Sequence, residues 1–431
     1  IQMGVDIEQE IIKKYQEEDC RFIHSVSEYI SLIEKVRKDK KPKSSQTILF
    51  RGENQVFKEP LTLPGIYRNP NYARYEDGLL TQIRPLEAGT FLQSIPFISS
   101  LAVLQHHGLP TRTLDLTGNA LIALFFACDN TPKKPGQSAY HRAGSVLLFQ
   151  GDTQSRESSS DEVVYADQKT SDSHYHVLIH KPNLKSVQSD AVAISATLAR
   201  MDYTKKHALF YEFYSALDKA ENYDETVDGH EDRVESKKLS STFQSIGSGT
   251  IDIGRQFREA FTNFDTLTSE QKEVFIHTFN HSDMAKYFAR EVQRNTAGFA
   301  SGLIDPLDIY RDIIVRLDQN DPRIVRQDGY LLLMGNSFAA SNFRYQFDAP
   351  VPEGGKNKKD LFGRVKQEID YRIRQMRVTN NEGKPVRLII PNADKSKVLE
   401  QLAVLGISSA TVYPDTDHRA RTVQDAIGKW R

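Results

Sequence analysis

The residues best equipped for chemistry lie in one stretch, Gln105-His106-His107-Gly108-Leu109-Pro110-Thr111-Arg112-Thr113-Leu114-Asp115-Leu116-Thr117, set between two strongly apolar segments. Polar and ionisable side chains in such a position need a pocket or a dense hydrogen-bond network to satisfy them. An imidazole from His106 or His107 together with the Asp115 carboxylate is suited to general acid–base work. Thr111, Arg112, Thr113 and Thr117 add hydroxyls and a guanidinium for binding. The same residues also suit a structural role, with the histidines facing the carbonyls of a last helical turn and Asp115 networked with Arg112 or Thr117. Both roles stay open on the sequence. A metal centre is not indicated, because adjacent histidines on a helix diverge by about 100° and cannot both face one ion.

Two further positions invite chemistry. Phe50-Arg51-Gly52 ends a short β-run. An arginine there is shaped to hold a phosphate or carboxylate in bidentate fashion, and Gly52 lets a backbone or a ligand come close. The alternative is a pairing of Arg51 with an internal acid such as Glu87 or Asp115. Late in the chain, Gln327 and Asp328 interrupt an apolar run ending at Met334, which marks either the edge of a cleft or a turn before Gly329.

The elements around these residues follow from periodicity. Pro96 to Gln105 carries apolar residues at the spacing of one buried helical face, and Gly108 and Pro110 end it. From Thr111 the period becomes two, so Leu114 and Leu116 point one way and Thr111, Thr113, Asp115 and Thr117 the other. Asn119 is placed to cap a helix from Ala120 to Cys128 that is apolar all round and must be enclosed. A strand at Ser145–Phe149 follows. Residues 6–40 predict charged amphipathic helices, Thr197–Ala220 one helix with its Tyr/Phe stretch in the core, and Phe257–Phe264, Glu270–Phe279 and Asp283–Asn295 further helices. Beyond these come a helix at Pro306–Leu317, a strand at Ile324–Met334 and a charged helix at Leu361–Met376. A closing β-α-β unit comprises Val386–Ile390, Ser396–Leu405 and Ala410–Tyr413.

With 431 residues, the length predicts two or three domains or one core with a large insertion. The division expected is a helical segment and linker at 1–45, core parts at 46–150 and 305–431, and variable loops with a helical insertion at 151–304. The fold class is mixed α/β, a β core with flanking helices. A net charge of −1 gives no global field to recruit nucleic acid or an anionic membrane. No apolar run reaches the length of a membrane span, and no signal peptide is visible. Two cysteines, Cys20 and Cys128, exclude a disulfide framework and a cysteine-rich zinc site, which fits the cytoplasm. The first residue is Ile1 and not methionine, so a preceding segment is expected. Gly-rich phosphate loops of the P-loop or Rossmann type are absent.

Leu49-Phe50-Arg51-Gly52, Leu63-Pro64-Gly65-Ile66-Tyr67-Arg68, Glu87, Gln105 to Thr117 and Asn119 to Ala127 together resemble the FRG domain family of bacterial proteins. Arg323 to Tyr330, and Ile389-Ile390-Pro391 through Tyr413-Pro414-Asp415, extend the likeness. Leu116 departs from it, since the family usually shows an aromatic residue after the aspartate. A more distant similarity is to ADP-ribosyltransferases, whose cores place Arg-Gly or His-Gly at the end of a first strand, then a polar strand leading into a helix, then a late strand bearing a glutamate. Arg51-Gly52, Thr113 to Thr117 and Arg326-Gln327-Asp328 occupy that order here. The resemblance implies NAD as substrate, no metal, and a protein or nucleic-acid acceptor, in a defence or toxin-type system. It places Arg51, Glu87, His107, Asp115 and Gln327 in catalysis, and Arg51, Gly52, His106, Thr111, Arg112, Thr113 and Thr117 in binding. Gln327 stands where the glutamate would be. That favours as alternatives a non-catalytic nucleotide-sensing or nucleic-acid-associated module, or a hydrolase using His107 and Asp115.

Overall fold

The computed structural model describes residues 9–40, 46–55, 62–83, 96–129, 142–152, 164–170, 173–179, 184–186, 189–223, 267–296, 299, 303–317, 322–337 and 358–413. Its strands are β1 (Asp19–Phe22), β2 (Gln46–Glu53), β3 (Thr113–Thr117), β4 (Gly144–Asp152), β5 (Val164–Thr170), β6 (Ser173–Ile179), β7 (Leu184–Ser186), β8 (Ile313–Arg316), β9 (Gly329–Leu333) and β10 (Val386–Ile390). The helices that matter for the site and core are α1 (Val26–Lys40), α2 (Glu76–Ile83), α3 (Phe97–His106), α4 (Ala120–Cys128), α5 (Asp190–Thr197), α6 (Tyr203–Glu221), α7 (Ser269–His281) and α8 (Asp283–Asn295). They continue with α9 (Pro322–Gln327), α10 (Lys358–Gln375), α11 (Lys395–Val404) and α12 (Ser409–Val412).

Eight strands form one mixed sheet in the order β1-β10-β4-β2-β3-β9-β8-β7, and β5 and β6 form a separate hairpin. Alternation along the strands gives the sheet two buried faces. On the first, Leu49, Leu114, Leu116, Leu147, Leu332 and Met334 pack against Val365, Ile369 and Ile373 of α10. On the second, Phe50, Val146, Leu148, Leu388 and Ile390 pack beneath α1, α4 and α11. Farther along that face, Ile313, Val315, Leu331 and Leu333 lie under α3 and α5. Helices α5 to α8 enclose a core of their own around Phe213, Phe275, Phe279 and Phe288.

The enclosed helix predicted from Asn119 onward is α4. The Asn119 side chain accepts hydrogen bonds from the Leu121 and Ile122 amides, satisfying two of the four donors that a helix start leaves over. Gly108 closes α3 at φ 91°, the left-handed value anticipated for it.

Five expected elements differ. Residues 306–317 were expected to be helical, but only a 3₁₀ turn forms at Pro306–Ile309. Ile313-Ile314-Val315, a β-branched run, becomes β8. The strand expected at Ile324–Met334 begins only at Gly329, with Pro322–Gln327 helical and Asp328 turning the chain at φ 43°. In place of the strand expected at Ala410–Tyr413, Ser409–Val412 forms the short helix α12, its start held by a capping box between Ser408 and Thr411 and Tyr413 at its C-cap. In the N-terminal segment, Asp19–Phe22 adds a strand parallel to β10. The single helix expected at Thr197–Ala220 is broken by a 3₁₀ turn, Leu198–Arg200, between α5 and α6. The helix expected at Phe257–Phe264 lies outside the described residues.

Candidate functional site

Each residue of Phe50-Arg51-Gly52 has a separate job in the fold. Phe50 is buried on the α4 face of the sheet. Gly52 takes the close approach of α4, because a Cβ there would stand 2.0 Å from the Ala123 carbonyl oxygen and 2.9 Å from the Ala127 amide nitrogen. Gly144 on the neighbouring strand has the same constraint, with the Ala127 oxygen 1.9 Å from a hypothetical Cβ. The helix is thus seated on two glycines. This accounts for Gly52 through helix packing, whereas the sequence had pointed equally to a ligand.

Arg51 projects from the opposite face, alongside Leu49. Its Nε donates to Glu53 Oε1 at 3.3 Å and its Nη1 to the Asp115 carbonyl oxygen at 3.0 Å. Nη2 has no partner among the described residues. The internal acid paired with Arg51 is therefore Glu53, and Asp115 contributes its backbone.

That bridge crosses a break in the sheet. β2 pairs with β4 at eight positions, Gln46 to Glu53, but with β3 only at Phe50↔Thr117. Along Arg51–Glu53 and Thr113–Asp115 the two strands face each other without a ladder. Arg68 stands beside this seam, its Nε and Nη2 donating to the Leu63 carbonyl at 3.1 and 3.0 Å. Desolvation, followed by the like charge of Arg51, lowers the Arg68 pKa. On the other strand Asp115 is exposed in the middle of a central strand whose four other residues are buried. Its carboxylate makes no hydrogen bond or ion pair among the described residues. A solvent-facing carboxylate at the middle of an eight-stranded sheet marks a gap between the helices covering it.

The other predicted site residues go to different places. Arg112 is buried, and its Nε donates to Glu76 Oε1 at 2.8 Å. Glu76 also receives Lys206 Nζ at 2.6 Å, making a buried triad that ties α2, β3 and α6 together. Burial raises the Glu76 carboxyl, but Arg112 and Lys206 overcome this and hold it at about 2. Gln327 is buried at the end of α9, where its Nε2 donates to the Val412 carbonyl at 3.2 Å. The Thr117 hydroxyl donates to the Gln327 carbonyl and accepts from the Asn119 amide at 3.0 Å. Neither Gln327 nor Thr117 is left to touch a substrate in this arrangement. Thr111 and Thr113 both donate to Gln105 Oε1. His106 is half-buried in the last turn of α3 and His107 is exposed at its C-cap. Glu87 lies outside the described residues. Among those residues, no cluster of three or more His, Cys, Asp or Glu could hold a metal ion, and no helix is long and apolar enough to cross a membrane.

The arginine side of the seam continues into a buried ionic strip. Glu53 Oε2 reaches Arg387 Nη1 at 3.5 Å, and Arg387 Nε donates to Glu18 at 2.7 Å. Arg377 Nη2 meets Glu18 at 2.8 Å. Burial raises the Glu18 carboxyl, but Arg377 and Arg387 bring it to about 2. Glu53 is thus shared between two arginines, so Arg51, with 14% of its side chain exposed, has only a divided carboxylate to neutralise it. Sequence reasoning missed Glu53, Arg68, Glu76 and Lys206 as partners, since nothing in their local spacing points across the fold.

No curated protein and no solved structure matches this chain. Residues 46–135 match the family model of the FRG domain, a span that contains β2, β3, α4 and both sides of the seam, so the chain carries an FRG domain and its candidate site lies within it.

Proposed function

We propose that the seam between β2 and β3 binds an anionic nucleotide of the NAD class. The observation that carries this reading is the pair of neighbouring guanidiniums at the seam: Arg51, whose Nη2 has no partner among the described residues and whose Glu53 counter-ion is shared with Arg387, and Arg68 beside it. Two neighbouring guanidiniums suit the two charges of a pyrophosphate, which accepts charge-assisted hydrogen bonds from both.

The geometry favours binding over ADP-ribosyl transfer. A transferase of the type the sequence resembles needs a late polar residue on the departing ribose, and Gln327 is instead bonded to Val412. Asp115 is no substitute, because its side chain leaves β3 on the face opposite Arg51. Labelled NAD distinguishes the cases. Binding without nicotinamide release supports a sensing module in a defence or toxin-type system. Release with label on protein or nucleic acid supports a transferase, and release without label a glycohydrolase. If no nucleotide raises the melting temperature, the seam is not a nucleotide site.

A further inference from the structure

We infer that His277 and His281 form a two-histidine site for a divalent transition-metal ion, zinc, nickel or copper, at the C-terminal end of α7. The site lies on α7 and does not depend on the nucleotide reading of the seam.

The two histidines are four residues apart, the spacing that sets side chains one above the other on a helix face. Phe275 and Phe279 take the buried face of α7, so Glu273, His277 and His281 line the exposed one. The two imidazoles are stacked, with ring centroids 3.8 Å apart and planes 26° from parallel. His281 Nδ1 lies 2.8 Å from the His277 carbonyl oxygen. A carbonyl only accepts, so the proton of that bond is on Nδ1, and the neutral ring carries its free lone pair on Nε2. A backbone carbonyl on the other ring nitrogen is the support that orients metal-ligating histidines. The His277 ring has no hydrogen bond among the described residues and is free to turn a nitrogen toward the same ion.

A tetrahedral ion about 2.0–2.1 Å from each nitrogen holds the two nitrogens roughly 3.4 Å apart, close to the present separation of the rings. The carbonyls that end α7 carry the negative end of its dipole, and Glu273 adds a negative charge one turn before His277. Both favour a cation. Imidazole ligands select zinc, nickel or copper, whereas magnesium and calcium take oxygen. No third His, Cys, Asp or Glu joins the pair among the described residues, so water fills the remaining positions. The bound ion would staple the last turn of α7, which leads directly into α8 through its N-cap, Ser282.

Calorimetric titration of the untagged protein with zinc, nickel, copper and magnesium chlorides tests the site. Copper should bind most tightly of the four and magnesium not at all. The chain has 12 histidines, so substitutions supply the location. His277→Gln and His281→Gln should each weaken copper and nickel binding about tenfold or more. Both rings are exposed, so the metal-free melting temperature should stay nearly unchanged in each variant. Wild-type affinity in either variant, or no binding of zinc, nickel or copper by the unsubstituted protein, overturns the inference.

Discussion

Replacing Gly52 by alanine tests whether the glycine that follows Arg51 is there for helix packing. The new Cβ would lie 2.0 Å from Ala123 O, 2.7 Å from Phe126 Cβ and 2.9 Å from Ala127 N. All three belong to the backbone or first side-chain carbon of α4, so no rotamer change relieves the clash. Separation to the 3.0 Å below which Cβ contacts are essentially never found requires the helix to retreat by about 1 Å from the carbonyl contact. Such a retreat lifts Ile122, Ala123, Leu124, Phe125, Ala127 and Cys128 out of close packing, and all six are buried. The cost belongs at the upper end of the overpacking range, about 3 kcal/mol. Equilibrium urea denaturation followed by circular dichroism measures it. Gly108→Ala is the internal comparison, because nothing lies within 4 Å of its Cβ and only its φ of 91° resists substitution. That change should cost about 1 kcal/mol. A loss below about 1 kcal/mol in Gly52→Ala, accompanied by loss of nucleotide binding, would refute the packing explanation and return Gly52 to the ligand.

Glu76→Ala strands Arg112 and Lys206 without their shared counter-ion, and should destabilise the fold by about 3–5 kcal/mol in the same assay. An effect under about 1 kcal/mol would mean that the triad is not closed in solution. Glu18 and Glu76 both have folded pKa values of about 2 against an ordinary 4.5. Their stabilisation is therefore complete above about pH 4.5 and lost as the pH falls from there toward 2. Stability measured across that window should drop steeply, and Glu76→Ala should flatten part of the slope. Arg51→Lys keeps the charge but not the planar fork, so it should weaken nucleotide binding by about 1–3 kcal/mol with little change in melting temperature. A lowered melting temperature with unchanged affinity would make Arg51 a structural partner of Glu53 alone.

Local signals in the sequence led to the right elements wherever periodicity and caps agreed. The helix from Ala120 to Cys128 follows from its all-apolar run behind Asn119, and the alternation from Thr113 to Thr117 follows from the change of period. Where two signals competed, the tertiary structure decided. The Asp328-Gly329 turn separates α9 from β9, and with that division Gln327 leaves the sheet and bonds to α12. For the site, sequence reasoning brought out Arg51 and Asp115, which meet across the seam only through the Asp115 carbonyl, their side chains leaving the sheet on opposite faces. It could not separate Arg112 from them. The Glu76 and Lys206 partners lie 36 residues before it and 94 after it, and only the fold brings them together. Nor could it show that β2 pairs fully with β4 and barely with β3, because strand order is not written in either strand's own pattern.

Amide hydrogen exchange with and without NAD tests the central claim most directly, since it reports the location of binding as well as its occurrence. Strands without a ladder leave amides open to exchange, and a ligand in the seam should close them. The seam predicts that saturating NAD slows exchange at Arg51–Glu53 and Thr113–Asp115 and leaves the α5–α8 core unchanged. Protection confined to other elements, or no protection at saturating NAD, would contradict it.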